Sequence, residues 1–271
     1  MAWKGGRSVS GRVVQTGRQQ QRELKRLTAK SNRSTRGDSF RDNFMTYSLW
    51  DDFEIESTET GEVGRLGWTS ANVGDGGGSV AALTPTVSTW ADCGLVKLST
   101  AGTTGNGIVL HKGTGTSCPF YGPPPAGSNL TVKLGLDGTL TQVNIWAGLS
   151  SAGATIPDTA LENTVHFIGV VARATSASVN WFGLCRAGRT ETSVDLGVAA
   201  DTSLRTLGWR KTKTGVQFQV NRANVGDEIT TNIPAATQAL APAIGIGPAS
   251  GSARKLVVDF YGLYASIKRF G

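Results

Sequence analysis

Three acidic residues, Asp52, Glu54 and Glu56, alternate along one short stretch. On a strand, alternate side chains share a face. Two carboxylates on one face are the equipment of glycoside hydrolysis, one serving as acid and the other as nucleophile or base. The same spacing is what a solvated outer face carries, and that is the reading adopted for it. The other chemistry-bearing types are sparse. His111 and His166 stand alone, each within a strand-like run and without a carboxylate or cysteine at a ligand spacing, and are read as hydrogen-bonded structural residues. Cys93, Cys118 and Cys185 lie far apart with no CxxC pair, and Cys185 sits in an apolar run as a small buried hydrophobe. Gly74-Asp75-Gly76-Gly77-Gly78 is glycine-rich, but no Lys follows and no helix opens after it, so it is read as a loop rather than a phosphate cradle. Asp75 offers oxygen ligands of the kind calcium takes, as the weaker reading of that loop. No cofactor or metal is called for.

The elements that would position these residues are strands. Of 271 residues, 36 are glycine and only 17% are charged, against a usual quarter charged. The chain favours Gly, Thr, Val and Ser over helix formers. Strands are expected over 52–56, 67–73, 79–83, 94–99, 107–111, 130–136, 142–149, 165–174, 178–185, 192–196, 206–211, 215–221 and 255–267, each bounded by Gly, Pro, Asn, Asp or Ser. Residues 206–211 and 215–221 flank Thr212-Lys213-Thr214 as a hairpin. Val216, Phe218 and Val220 alternate with Gln217 and Gln219, which predicts one buried and one wet face. Trp146, out of phase with Val143, Ile145 and Ala147, predicts a sheet covered on both sides. Some thirteen strands, with no repeat and no helix after residue 43, predict an all-β sandwich.

Charge is divided sharply. Residues 1–43 hold 11 Lys/Arg and three acids, a net +8, whereas residues 44–271 hold 16 and 17. Two units are therefore expected: a basic N-terminal docking arm, 1–43, extended and partly helical, and a β-sandwich, 44–271. The arm has too few large apolar groups for a core. Its stretch 16–30 is rich in helix formers, with Leu24 and Leu27 on one face. The residues expected to meet a partner are Trp3, Arg7, Arg12, Arg18, Arg22, Leu24, Lys25, Arg26, Leu27, Lys30, Arg33, Arg36 and Phe40. Cations would supply attraction and on-rate, and the apolar groups burial. No apolar run reaches the ~18–20 residues that span a bilayer, and the basic N-terminus has no apolar stretch of a secretory signal behind it. A sparse, odd set of cysteines suits a reducing compartment.

Two stretches carry a family resemblance. Trp50–Asn72 opens with Asp51-Asp52-Phe53 and reaches Gly64-Arg65-Leu66-Gly67-Trp68; the C-terminal half holds Asn180-Trp181-Phe182-Gly183, Thr230-Thr231-Asn232-Ile233-Pro234 and Val257-Val258-Asp259-Phe260-Tyr261-Gly262-Leu263. Together they resemble tailed-bacteriophage virion structural proteins with a concanavalin A-like (LamG-like) jelly roll, over roughly residues 44–271. The resemblance implies that first and last strands lie side by side, with Phe53 and Ile55 facing alternate residues of 257–263. It implies that Asp51, Asp52 and Asp259 sit near strand ends and that Trp68 plugs the sandwich rim. Glucanases of this fold resemble one another in an E-x-D-x-x-E run on a mid-chain strand, whereas Asp52, Glu54 and Glu56 open the domain, so a hydrolase is not expected. Modules of this fold also bind sugars through exposed aromatics, for which Trp90, Trp146, Trp181, Trp209 and Tyr121 are the candidates; core packing is the default for each tryptophan.

The function expected on these grounds is a non-enzymatic phage virion structural protein, assembled in the host cytoplasm. A capsid cement or decoration protein comes first, its arm folding on the major capsid protein, with the sandwiches packed as a homo-oligomer, nominally a trimer. A tail-fibre or receptor-binding component, docked on a tail protein and binding a host glycan, comes second. A jelly-roll coat protein whose arm binds nucleic acid comes third, because the basic residues are spaced singly apart from Lys25-Arg26.

Overall fold

The computed structural model describes residues 44–51, 53, 62–63, 68–73, 78–83, 95–100, 107–112, 120–121, 123–137, 143–151, 165–173, 179–248 and 253–268. The chain divides into one unit of 1–45 with 268–271 and a second of 46–267; the described side chains belong to the second. The whole arm expectation, 1–43, falls outside the described residues.

The strands are β1 (Phe44–Asp51), β2 (Glu62–Val63), β3 (Trp68–Val73), β4 (Ser79–Leu83), β5 (Leu95–Ser99), β6 (Gly107–His111), β7 (Phe120–Tyr121), β8 (Asn129–Leu136), β9 (Val143–Ser150), β10 (Phe167–Arg173), β11 (Asn180–Ala187), β12 (Thr190–Ala199), β13 (Arg205–Lys211), β14 (Val216–Val220), β15 (Ala223–Asn224), β16 (Ala239–Pro248) and β17 (Lys255–Lys268). They form two sheets. Sheet A runs β15-β14-β13-β8-β17-β5-β4, with β1 also on β17; sheet B runs β12-β11-β10-β9-β16-β6-β3-β2, with β7 also on β16. This is an all-β, concanavalin A-like jelly-roll sandwich, as the sequence predicts. Chain-distant strands are neighbours throughout: β8 lies between β13 and β17, and β16 between β9 and β6.

The interior follows from period-two alternation. Leu130, Val132, Leu134 and Leu136 of β8 face Ile145, Ala147 and Leu149 of β9 and Ile168, Val170 and Ala172 of β10 across one continuous core. Phe218 of sheet A presses where a side chain at Gly183 of sheet B would stand, so only glycine fits there. Tyr261 joins the sheets, its hydroxyl donating to the Gly148 carbonyl at 2.9 Å. In the predicted hairpin, Lys211 pairs with Val216, and Val216, Phe218 and Val220 are buried between half-exposed glutamines.

Two expectations need correction. The first strand is Phe44–Asp51, a stretch for which no strand was expected; of the expected strand 52–56 only Phe53 lies within the described residues. Phe53 has a left-handed φ of 51°, which a strand through it does not allow; its N–H instead donates to Asp51 Oδ1 at 2.8 Å, a local turn. Strand β16 was not expected at all, although it occupies the middle of sheet B. Its sequence, ALAPAIGIGP, has no polar–apolar alternation and two prolines. Pro242 has no N–H to give, and it is accommodated at the mouth of the β6 pairing, where Lys112 N–H donates to its carbonyl at 3.0 Å.

Candidate functional site

Alternation along β1 sends Leu49 inward, Trp50 outward and Asp51 inward. Asp51 is 1% exposed. Besides holding the Phe53 N–H, it accepts from Trp68 Nε1 at 3.0 Å. Trp68 in turn meets Phe53 at 5.9 Å and Tyr261 edge-on at 5.1 Å. This buried plug of Asp51, Phe53, Trp68 and Tyr261 fixes β1 against β17 and so holds Trp50 on the outer face of sheet A. There Trp50 stacks on Phe260 with centroids 4.9 Å apart and planes 18° apart. The ring also crosses Gly262, where a methyl group would fall 2.5 Å from Trp50 Cε3. Despite these contacts Trp50 remains 55% exposed, and Tyr264, two residues beyond Gly262, is 42% exposed.

The ladder registers extend this aromatic corner into a row. Tyr264 pairs with Asn129, Asn129 with Arg210, and Arg210 with Gln217, one residue from each of β17, β8, β13 and β14. With strands about 4.8 Å apart, the row is about 14 Å long. Beside it lies a low row, Gly262, Thr131 and Gly208. Lys133 stands beyond, in an ion pair with Asp259 at the bulge of β17. The arrangement is a shallow strip with exposed rings at one end, planar amide and guanidinium groups along it, and a backbone floor.

The far end of the row opens into a cleft of about 530 Å³ lined by Arg210, Lys211, Thr212, Lys213, Gln217 and Glu228, among others. The Thr212 and Thr214 hydroxyls each donate to Glu228 Oε1 at 2.6 Å, and those bonds hold its carboxyl below the ordinary glutamate range.

The outer face of sheet B differs. Val109, Trp146, Phe167, Val171, Leu184 and Ala243 form a second buried apolar cluster there, which bears out the expectation of a sheet covered on both sides. At its edge Arg173 grips Glu191 through two hydrogen bonds of 2.7 and 3.0 Å, and Arg186 approaches the same carboxylate at 3.9 Å. Asp195 accepts twice from Asn180, at 2.9 and 3.1 Å. Glu191 and Asp195 are four residues apart on one strand, about 13 Å, too far to work as a hydrolytic pair. The mid-chain strands β9 and β10 carry no carboxylate.

The residues singled out from sequence are distributed as follows. Asp52, Glu54, Glu56, Asp75, Cys93, Cys118 and Trp90 lie outside the described residues, as do the side chain of Tyr121 and every arm residue from Trp3 to Phe40. Trp146, Trp181 and Trp209 are buried, so none is a sugar platform. Cys185 is buried and its thiol is pushed up to about 12 by desolvation, which leaves it unreactive. His111 is buried, and partial burial holds His166 below the ordinary histidine value. Among the described residues no three His, Cys, Asp or Glu side chains converge as metal ligands. Asp259 sits within β17, not near a strand end. The exposed rings that sequence reasoning missed are Trp50 and Tyr264. The signal for Trp50 was its parity: it alternates with Leu49 and Asp51, the two residues that turn inward.

No family model matches the chain, and no curated protein matches it. Solved structures do. A protein of unknown function from Shewanella oneidensis MR-1 aligns with a TM-score of 0.57 at 10% identity, covering 83% of this chain and 89% of that one. A Bacillus licheniformis β-glucanase aligns at 0.45 and 14% identity, covering 80% and 97%. A β-1,3-1,4-glucanase (lichenase) from a mouse hindgut metagenome aligns at 0.48 and 9%, covering 81% and 99%. The class defined is the concanavalin A-like jelly-roll sandwich.

These findings overturn the expected function. The virion structural assignment, in its cement, fibre and coat forms, is withdrawn, and with it the statement that the protein is not an enzyme: the likeness these structures show is one of fold, and glucanases share it. The physical reason lies in the plug. Asp51, Phe53, Trp68 and Tyr261, which carried much of the phage resemblance, are the residues that pack the first strand against the last. They mark the fold, and a fold hosts many functions.

Proposed function

We propose that the sandwich recognises polysaccharide along the outer face of sheet A. The observation that carries this reading is the pair of exposed aromatics, Trp50 stacked on Phe260 and Tyr264 beside them, at the head of a four-strand polar row. A sugar ring presents a patch of C–H groups on one face and hydroxyls at its rim. An exposed indole matches the first, being apolar on its face and preordered by its neighbours. Asn129 and Arg210 match the second, because amide and guanidinium groups offer paired donors or acceptors in a plane, and Gln217 adds its side-chain carbonyl, its amide nitrogen being held by the Val225 and Gly226 carbonyls at 3.1 Å. A row of about 14 Å suits a chain rather than a single ring. Single exposed apolar residues are ordinary on protein surfaces; here Trp50 stacks on Phe260, and Tyr264 is exposed on the same face four residues along the strand from Phe260.

The cationic segment 1–43 is proposed to act separately, as a tether for an acidic surface.

The test is affinity electrophoresis and calorimetry of the full chain against soluble polysaccharides, with release of reducing ends followed in the same samples. Binding should occur and should be lost in the Trp50→Ala, Tyr264→Ala double variant at unchanged thermal stability. Binding that survives the double variant, or no binding to any polysaccharide, overturns the reading. Reducing-end release that depends on Trp50 would make this face the substrate-holding surface of a hydrolase.

A further inference from the structure

We propose that the polysaccharide held on sheet A is anionic, and that the cleft at the β13–β14 corner receives its carboxylate or sulfate groups; this rests on the polysaccharide reading above.

The cleft gathers three cations, Arg210, Lys211 and Lys213, around a space of about 530 Å³. Elsewhere on the described sandwich several cations are matched, Lys133 with Asp259, Arg173 and Arg186 with Glu191, Arg205 with Asp201 and Lys255 with Asp137; Lys97, Arg189 and Arg222 are not, but they stand singly and do not line this cleft. Arg210 and Lys213 are exposed and have no ion-pair partner among the described residues. Lys211 Nζ donates to the Thr212 carbonyl at 3.0 Å.

Glu228 is the one carboxylate lining the cleft, and it serves the turn. It holds the Thr212 and Thr214 hydroxyls, and Thr212 Oγ1 accepts from the Gly215 N–H at 2.8 Å. The result is a stiff hairpin end that presents Lys211 and Lys213 from fixed backbone. Three cations against one carboxylate leave the cleft positive by two charges. Asn224 adds a donor: its Oδ1 accepts from Gln219 at 2.9 Å, which leaves its N–H groups for a ligand.

Position then links charge to the sugar face. Arg210 and Gln217 belong both to the row that starts at Tyr264 and to the wall of the cleft. A chain seated on the aromatic corner and running along the row delivers its next substituent there. An oxyanion would meet a guanidinium fork and ammonium groups, the strongest hydrogen-bond donors a protein has for it. A neutral hydroxyl would leave those charges unanswered.

The experiment uses the full chain and four probes: a neutral β-glucan, a polyuronate, a sulfated galactan and duplex DNA. One of the charged glycans should bind about tenfold more tightly than the neutral one, with the advantage shrinking as salt rises from about 0.05 to 0.5 M. Which of the two it is identifies the substituent. Lys213→Gln should remove most of that advantage and Lys213→Arg should retain it, whereas Lys255→Gln, which deletes an equal charge outside the cleft, should leave it intact. If the neutral glucan binds as tightly and Lys213→Gln changes nothing, the inference fails while the polysaccharide reading stands. If no glycan binds, both fail. Tight DNA binding indifferent to Trp50→Ala would make the cleft a general polyanion site and would also overturn the inference.

Discussion

The two sheets use the same local device with opposite results. On sheet B the Trp146 ring covers Gly245 of the neighbouring strand; on sheet A the Trp50 ring covers Gly262. Trp146 is 1% exposed and Trp50 is 55% exposed. What separates them is company. Val109, Phe167, Val171, Leu184 and Ala243 share a face with Trp146. Among the described residues Trp50 stacks on Phe260 and crosses Gly262, and Tyr264 on the same face is itself exposed. One tryptophan is part of a second core and the other is available to a ligand. The lesson is that a tryptophan's function on a sheet is set by the strands beside it, which the chain supplies from far away in sequence.

Substitution should break this symmetry most visibly at the rings themselves. Trp146→Ala removes a fully buried ring and should cost about 3–5 kcal/mol. At the few degrees per kcal/mol expected for a domain of this size, the melting temperature should fall by roughly 10 °C or more. Trp50→Ala should change stability by less than about 1 kcal/mol, as surface changes do. Equal losses in urea denaturation would show that the two faces are energetically alike and would remove the contrast.

The glycines beneath the rings sharpen it. A methyl group at Gly245 would stand inside the Trp146 ring, which its packed neighbours hold in place. Gly245→Ala should therefore cost about 1–3 kcal/mol through overpacking. Gly262→Ala meets the edge of a ring with solvent on its other side, so Trp50 can shift outward. Its main effect should be on polysaccharide binding, weakened about tenfold, or ~1.4 kcal/mol. Denaturation and calorimetry on the two alanine variants read both quantities; a Gly262→Ala protein that is less stable than Gly245→Ala would contradict the difference in packing.

How much of this was legible in the chain depends on the range of the interaction. The β13–β14 hairpin could be read because a three-residue loop and alternate Val216, Phe218 and Val220 fix register locally. The two-sided covering of sheet B was legible in one residue, Trp146, out of phase with its neighbours. Strand β16 was not, because a strand buried on both faces needs no alternation and Pro242 argued against it. The polar row was invisible for a different reason. Tyr264, Asn129, Arg210 and Gln217 come from four strands spread over more than half of the chain, and only the crossed order β14-β13-β8-β17 aligns them. The phage expectation failed because its motifs are plug residues, legible as fold and silent on function.

The smallest expected effect concerns the edge of sheet B, where charge rather than burial ties the strands. The hydrogen bonds from Arg173 hold Glu191 below its ordinary value; partial burial opposes them, and the charges of Arg173 and Arg186 add to them. A carboxyl whose folded-state pKa is depressed contributes stability that is complete above its unfolded value. That contribution disappears as pH falls through the folded value. Because the pair is partly solvated, it should be worth about 0.5–1 kcal/mol. Wild-type protein should therefore exceed Glu191→Gln by that amount at neutral pH, and the two should converge as the solution is acidified below the usual glutamate range of about 4.3. Glu228→Gln is the matching variant on sheet A. Its carboxyl is also held down, by the Thr212 and Thr214 hydroxyls, but at the surface. By the same linkage its contribution fades as pH falls, but at an exposed site Glu228→Gln should cost less than Glu191→Gln at neutral pH, while loosening the turn that carries Lys213. Urea midpoints measured across the acid limb separate the cases: a gap at Glu191 that stays constant with pH would mean that the side chain contributes by packing, not by charge.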